Sequence, residues 1–266
     1  MSQPNNLKKR LPFAALFIAL AVYSIFFAPE ILFVGIVALI VSLALYEYCK
    51  MVEHKGFWMH AGLLISMGVL VVISVYLRFS LEVMLLGLVI FFVLFFTRKS
   101  VDKGLASAAL FIFGLLYIAW FFSQIILIRR LPSGELWVFF TILLVKGGDA
   151  GAYFVGKSIG KIKLLEHISP KKSIEGAWGQ LITTIVLAAL SGFYLPEIGM
   201  HHVLILGLCI GILAQLSDLA ESLIKRDAGV KDSGQIPGLG GFMDVLDSLL
   251  FTVPFVYFYL TRIILQ

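Results

Sequence analysis

Apolar residues run along this chain in stretches of about twenty, separated by short polar segments. A helix of that length crosses the hydrocarbon core of a bilayer, so each stretch predicts a transmembrane helix. Nine are expected, near 11–28, 31–48, 58–78, 81–97, 105–128, 136–155, 177–196, 203–221 and 243–264. The link Ala28-Pro29-Glu30 is so short that the first two must form an antiparallel hairpin. The expected fold class is therefore an all-α polytopic membrane protein of about nine transmembrane helices. The pattern holds no internal repeat, low-complexity tract or soluble extra domain. Residues 1–104 are expected to form N-terminal transmembrane helices that serve as scaffold. Residues 105–266 are expected to form a C-terminal transmembrane catalytic region with cytoplasmic loops at 156–176 and 222–242.

Composition agrees. The 266 residues are 60% hydrophobic and 14% charged, with 23 Phe, whereas soluble domains are roughly 45–50% apolar and about 25% charged. The two cysteines, Cys49 and Cys209, lie in or beside apolar runs, and no C-x-x-C or His/Cys ligand spacing occurs. Neither a disulfide framework nor a zinc site is expected. The first apolar run is not followed by a small-residue cleavage site, and it reads as a retained helix.

Charge sets the orientation. With Lys8, Lys9 and Arg10 in the cytoplasm, the even-numbered connections are cytoplasmic too. Sixteen of the 21 Lys and Arg residues then lie on that side, against Arg78, Arg129, Arg130 and Arg262 outside and Lys146 within a span. This is the positive-inside asymmetry. The net charge of +5 is accounted for by anionic lipid at the cytoplasmic face, so no nucleic-acid partner is expected. His54, His60, His201 and His202, with Trp58, Trp120, Trp137 and Trp178, fall near span ends and read as interfacial residues.

Residues 151–158, GAYFVGKS, match the P-loop pattern G-x-x-x-x-G-K-[ST]. A P-loop needs a flexible turn whose N–H groups cradle phosphate. Here the intervening residues are Ala152, Tyr153, Phe154 and Val155, which suit a continuing helix, and the match is read as fortuitous.

Candidate chemistry gathers in the second half. Asp149 lies in the sixth expected span, Asp218 and Glu221 at the end of the eighth, and Asp244 and Asp247 at the start of the ninth, all toward the cytoplasmic side. The three-residue spacing of each pair puts its members on one helix face. A carboxylate at the centre of a membrane helix costs about 2.5–3.5 kcal/mol, so five should carry a cationic counterpart. Lys146, Lys225, Arg226, Lys231 and bound metal are the candidates. Clustered carboxylates with water and phosphate oxygens suit Mg²⁺; internal salt bridges are the alternative. The loop GKSIGKIKLLEHISPKKSIEG offers Lys171, Lys172 and Ser173 to phosphate. The loop KRDAGVKDSGQIPGLGGFMDVLD places Gly234, Gly238, Gly240 and Gly241 before the ninth helix, whose N-terminus is expected to seat phosphate. Ordinary basic loops and turn glycines would read the same way. The combination points to phosphoryl or nucleotidyl chemistry on a lipid.

At these residues the chain resembles the phosphatidate cytidylyltransferase (CDP-diacylglycerol synthase) family. The family's signature S-x-x-K-R, K-D, P-G-H-G-G, D-R-x-D is matched by Ser222 to Arg226, Lys231-Asp232, Pro237 to Gly241, and Asp244 to Asp247. Asp149 to Tyr153 resembles D-[ST]-x-A-Y, and Ser169 to Gly176 resembles S-P-K-K-T-x-E-G. Leu239 replaces the family's His, Val245 its Arg, and Ala150 its Ser or Thr. The resemblance implies transfer of a cytidylyl group from CTP to phosphatidate, giving CDP-diacylglycerol and pyrophosphate. Asp218, Lys225, Arg226, Lys231, Asp244 and Asp247 would be catalytic, and Asp149, Asp218, Asp244 and Asp247 would bind metal. Lys171, Lys172, Ser173, Ser222, Asp232, Gly238, Gly240 and Gly241 would contact substrate. Mg²⁺, with or without a second metal ion, would be the cofactor, membrane lipid the surroundings, and a homodimer the implied assembly. The implied location is the bacterial cytoplasmic (inner) membrane with the active site facing the cytoplasm. A related lipid-phosphate nucleotidyltransferase or lipid kinase, an ion-coupled transporter and an inactive paralogue remain alternatives.

Overall fold

The computed structural model describes residues 18–195, 198–234 and 240–265. Residues 1–17 of the expected first span and its flank, and Pro237, Gly238 and Leu239 of the glycine-rich loop, lie outside the described residues. Helix α1 is described over 18–26. It is followed by α2 (Glu30–His54), α3 (Ala61–Leu77), α4 (Ser80–Phe96) and α5 (Gly104–Gly114). A π-helical turn, Leu115–Trp120, joins α5 to α6 (Phe121–Arg129) without a break. Then come α7 (Gly134–Ile159), strands β1 (Lys163–Leu165) and β2 (Ser169–Ser173), α8 (Ile174–Ser191) and α9 (Met200–Asp227). The chain closes with the short α10 (Phe242–Leu246) and with α11 (Thr252–Tyr259), which runs into a second π turn, Leu260–Ile264.

The protein is mostly helical, and among the described residues 5 helices are long and apolar enough to cross a membrane: α2, the α5–α6 rod, α7, α8 and α9. Helices α3 and α4 are apolar but have 17 residues each. The ninth expected span, 243–264, is broken instead of continuous. A turn separates α10 from α11, because Pro254 has no N–H to extend the ladder back toward Leu250. Ser217 of α9 satisfies the groups exposed by the break: its hydroxyl donates to the Asp247 carbonyl and accepts from Phe251 N at 3.2 Å.

One further expectation is corrected and one is borne out. Helix α9 continues to Asp227, so Ser222, Lys225 and Arg226 stand on a helix where a loop from 222 was expected. Helix α7 runs unbroken through GAYFVGKS to Ile159, so those glycines form no phosphate loop. Their role is close packing. A Cβ on Gly151 would collide with the Thr183 side chain, and one on Gly148 would sit 2.7 Å from Thr184 Cγ2. Gly207 and Gly211 of α9 press against Ala188 and Thr184 of α8 in the same way. Small residues let helix backbones approach where apolar burial alone gives little drive in lipid. They hold α7, α8 and α9 as a tight trio.

The helix connections are tied into two separate ends. At one end Lys55 pairs with Asp227 at 3.1 Å, Lys103 Nζ donates to the Gly56 carbonyl at 3.3 Å, and Arg226 Nε donates to the Ile168 carbonyl at 3.1 Å. This gathers the α2–α3, α4–α5 and α7–α8 connections beside the end of α9. At the other end Arg129 donates to the Ile25 and Ala28 carbonyls, capping α1. Arg130 pairs with Glu30 at 3.0 Å and donates to the Tyr76 carbonyl at 2.8 Å. Beside the first of these ends Trp58, Phe91, Phe95 and Phe111 pack edge and face in an aromatic cluster. Trp137, expected at an interface, is buried against Phe140.

Candidate active site

A cavity of about 590 Å³ opens between the end of α7, the β-hairpin, α8, α9 and the α10 turn. Four aspartates line it, Asp149, Asp218, Asp244 and Asp247, with four lysines, Lys146, Lys157, Lys171 and Lys172. The glycine-packed trio brings Asp149 and Asp218 together, and the break before α11 turns Asp247 in beside them.

The charges interlock. Lys146 Nζ lies 3.4 Å from Asp149 Oδ2, one helical turn away, and 3.7 Å from Asp247 Oδ1. Ser248 Oγ stands between the same two carboxylates, 3.3 Å from both oxygens of Asp149 and 3.0 Å from Asp247 Oδ1. Gln180 of α8 donates to Asp149 Oδ1 at 3.3 Å. On the opposite wall Lys172 Nζ pairs with Asp218 Oδ2 at 2.6 Å, and Ser222 Oγ is 3.4 Å from Asp218 Oδ1. Behind the cavity Lys225 is ion-paired to Asp244 and, at 2.6 Å, to the fully buried Glu221. Among the described residues no three His, Cys, Asp or Glu side chains come within reach of one metal ion. The carboxylates are partnered by ammonium groups and hydroxyls.

The other expected residues scatter. Lys171 is exposed at the cavity wall. Ser173 lines it too, and its Oγ caps α8 by accepting from Gly176 N at 3.1 Å. Arg226 points away, to the carbonyls of Ile168 and Val230. Lys231 and Asp232 are exposed and do not line the cavity.

The start of the last helix does not offer a free phosphate seat. Gly241 N donates to Asp244 Oδ2 at 2.7 Å, Phe242 N to Glu47 Oε1 at 2.9 Å, and Met243 N to Glu47 Oε2 at 3.0 Å. Carboxylates of the chain itself satisfy the N–H groups that were expected to face a ligand. Gly240 is there for its backbone, at φ +82°, where a Cβ would also strike Asp244 Oδ2.

Sequence reasoning passed over Glu47, Gln180, Ser248 and Gln215, the last lining the cavity with its Nε2 donating to the Ala177 carbonyl at 2.8 Å. Glu47, Gln180 and Gln215 were legible as polar residues within apolar runs. Ser248 carried no such signal, because serine is tolerated in any membrane helix.

Fold and cavity together define a helical, membrane-type protein with a chamber lined by aspartates and lysines at one end of its bundle. The chain belongs to the cytidylyltransferase family, whose sequence profile matches residues 8–263. It is 44% identical over 149 residues to a phosphatidate cytidylyltransferase of Bacillus subtilis (strain 168), a match covering 54% of this chain and 55% of that one. It is 32% identical over 290 residues to the phosphatidate cytidylyltransferase of Synechocystis sp., covering 96% of this chain and 97% of the relative. The protein YnbB of Escherichia coli (strain K12) is 34% identical over 237 residues, covering 85% of this chain and 77% of the relative.

Proposed function

We propose that this protein is a CTP:phosphatidate cytidylyltransferase, making CDP-diacylglycerol and pyrophosphate for phospholipid biosynthesis. The observation that carries the reading is the convergence of Asp149, Asp218, Asp247, Lys146, Lys171 and Lys172 on one cavity. Two polyanions must be brought together there, so the work of the site is charge neutralisation and positioning. A phosphate oxygen of phosphatidate attacks the α-phosphorus of CTP, and the bond to the β-phosphate oxygen breaks as pyrophosphate leaves in line. The attacking phosphate has a second pKa near about 6 and is largely ionised at neutral pH, so no strong general base is required. Replacement of the family's His by Leu239 is compatible with that.

Lys171 and Lys172 are suited to hold the triphosphate, and Lys146 the charge that develops between the reacting phosphates. Asp149 and Asp247 already share Lys146 and Ser248. A hard cation bound by one or two carboxylates and completed by phosphate oxygens fits that pair. Mg²⁺ held there, with Asp218 across the cavity, would neutralise phosphate charge. Asp244 is committed elsewhere, to Lys225, Ser233 and Gly241, and we assign it to holding the loop. Arg226 and Lys231 are left as outer anchors. Ser222 acts through Asp218.

We further propose nine spans with the N-terminus and the cavity on the cytoplasmic side of a bacterial inner membrane. Support comes from the end that gathers Lys55, Lys103, Arg226 and the basic hairpin, which is the cavity end and matches the positive-inside rule. Residues 1–104 then frame the catalytic region 105–266, and the acyl chains stay in the bilayer. A homodimer is kept as the working assembly.

The test is Mg²⁺-dependent conversion of labelled CTP by the purified protein in detergent with phosphatidate. CDP-diacylglycerol and pyrophosphate are the expected products. Release of a nucleoside diphosphate would instead mark a lipid kinase, substrate flux without CTP consumption a transporter, and no turnover an inactive paralogue.

A further inference from the structure

We propose that Glu47, on α2 in the half of the chain expected to be scaffold, is a positioning residue for the active site. It clamps the turn that carries Asp244 and Asp247. The inference rests on reading the cavity as a nucleotidyl-transfer site.

The geometry is bidentate. One carboxylate oxygen of Glu47 accepts from Phe242 N at 2.9 Å, and the other from Met243 N at 3.0 Å. The second oxygen also accepts from Ser233 Oγ at 2.7 Å. Asp244 grips the same two strands of chain from the other side, accepting from Ser233 N at 2.9 Å and Gly241 N at 2.7 Å. Two carboxylates therefore hold both flanks of the segment 235–239.

The glycines are spaced for this clamp. A Cβ on Gly234 would lie 2.5 Å from Glu47 Oε1, and one on Gly241 would collide with Glu47 Oε2 and Ser233 Oγ. Glycine at these two positions makes room for the carboxylate and for the close approach of the two backbones, with a Cβ on Gly241 only 2.6 Å from Gly234 N.

Charge shows what Glu47 contributes. Its residue is only 9% exposed. Among the described residues it makes no ion pair, so backbone amides and one hydroxyl alone balance its charge. A buried anion held by neutral donors is a poor source of stability. What it supplies is a fixed direction for three donors at once, which sets the turn from which Asp244 reaches Lys225 and Asp247 reaches the cavity.

The experiment compares Glu47→Ala and Glu47→Gln with the wild type in detergent, reading steady-state kinetics and amide hydrogen exchange. We expect faster exchange confined to peptides covering 240–246, with α7 and α8 unchanged. We expect kcat to fall at least about tenfold while KM for CTP stays within about threefold. Glu47→Gln keeps one acceptor oxygen and should lie between. A folded Glu47→Ala with wild-type kcat, or faster exchange spread over every helix, overturns the proposal. Should neither variant fold, Gly234→Ala presses on the carboxylate without removing it; the same local loosening supports the clamp, and wild-type exchange and kcat refute it. If the wild type itself does not turn over CTP, the reading of the site fails, while the exchange data still report on the clamp.

Discussion

Lys225 is ion-paired to Asp244. The pair joins α9 to the start of the last helical segment, 19 positions along the chain. The same ammonium lies 2.6 Å from Glu221, which is fully buried, so one lysine compensates two carboxylates, one of them out of reach of water and the other at the cavity wall. Removing it strands both. Lys225→Met is expected to destabilise the protein by about 3–5 kcal/mol, the usual cost of leaving a buried charge unpaired. Thermal unfolding in detergent measures this, and adding Glu221→Gln should recover part of the loss because one stranded charge is then gone.

Asp247 and Asp149 share a cation and a hydroxyl across the cavity. If they hold Mg²⁺ during turnover, Asp247→Asn should lower kcat by about a hundredfold and shift the Mg²⁺ dependence upward by about tenfold or more. A magnesium titration of both proteins reads it directly. A near-normal rate for Asp247→Asn or Asp149→Asn would remove the proposed ligand pair.

Lys171 and Lys172 are neighbours in sequence but differ in what they touch. Lys172 is paired with Asp218 at 2.6 Å, whereas Lys171 is exposed at the cavity wall. Lys171→Ala should mainly raise KM for CTP, by several-fold, since an exposed phosphate contact contributes on the order of 1 kcal/mol. Lys172→Ala should lower kcat as well, because it leaves Asp218 uncompensated beside the incoming phosphates. Initial rates over a CTP range separate the two.

Arg226 sits in the signature beside Lys225 yet turns to the hairpin, donating to the Ile168 carbonyl at 3.1 Å. Arg226→Ala should loosen residues 163–173, seen as faster amide exchange and easier proteolysis there. Activity should fall through the displaced Lys171 and Lys172.

Gly151 belongs to the apparent P-loop pattern but packs α7 on α8. Gly151→Val drives a branched side chain into Thr183 and within 3.0 Å of the Gly179 carbonyl. Overpacking of this kind costs about 1–3 kcal/mol. A lowered unfolding temperature, with no change in nucleotide affinity beyond that instability, is the expected outcome. A selective loss of CTP binding would contradict the packing role.

Much of this site was legible in the chain, unevenly. Asp149 and Asp218 announced themselves because an aspartate inside an apolar run is expensive and seldom idle. Their placement on one cavity followed once glycines drew α7, α8 and α9 together. Glu47 carried the same signal and was passed over, because its run lies in a half with little else ionisable. Asp244 reads from the sequence as a metal ligand and the helix start after the glycines as a phosphate seat, yet in the structure Asp244 and these glycines grip one another. The ambiguity has a physical origin. A free N–H group attracts an anion, and the sequence does not say whether that anion is a substrate phosphate or the chain's own carboxylate.

Apolar run length was enough, on its own, to give a bundle of membrane-length helices, since the bilayer dictates span length. Only the tertiary structure decided which carboxylate faces the cavity and which holds the backbone, where the last helix breaks, and that Glu47 reaches Met243 across the bundle. Those outcomes depend on distances of a few tenths of an ångström between residues nearly two hundred positions apart, and no local pattern encodes them.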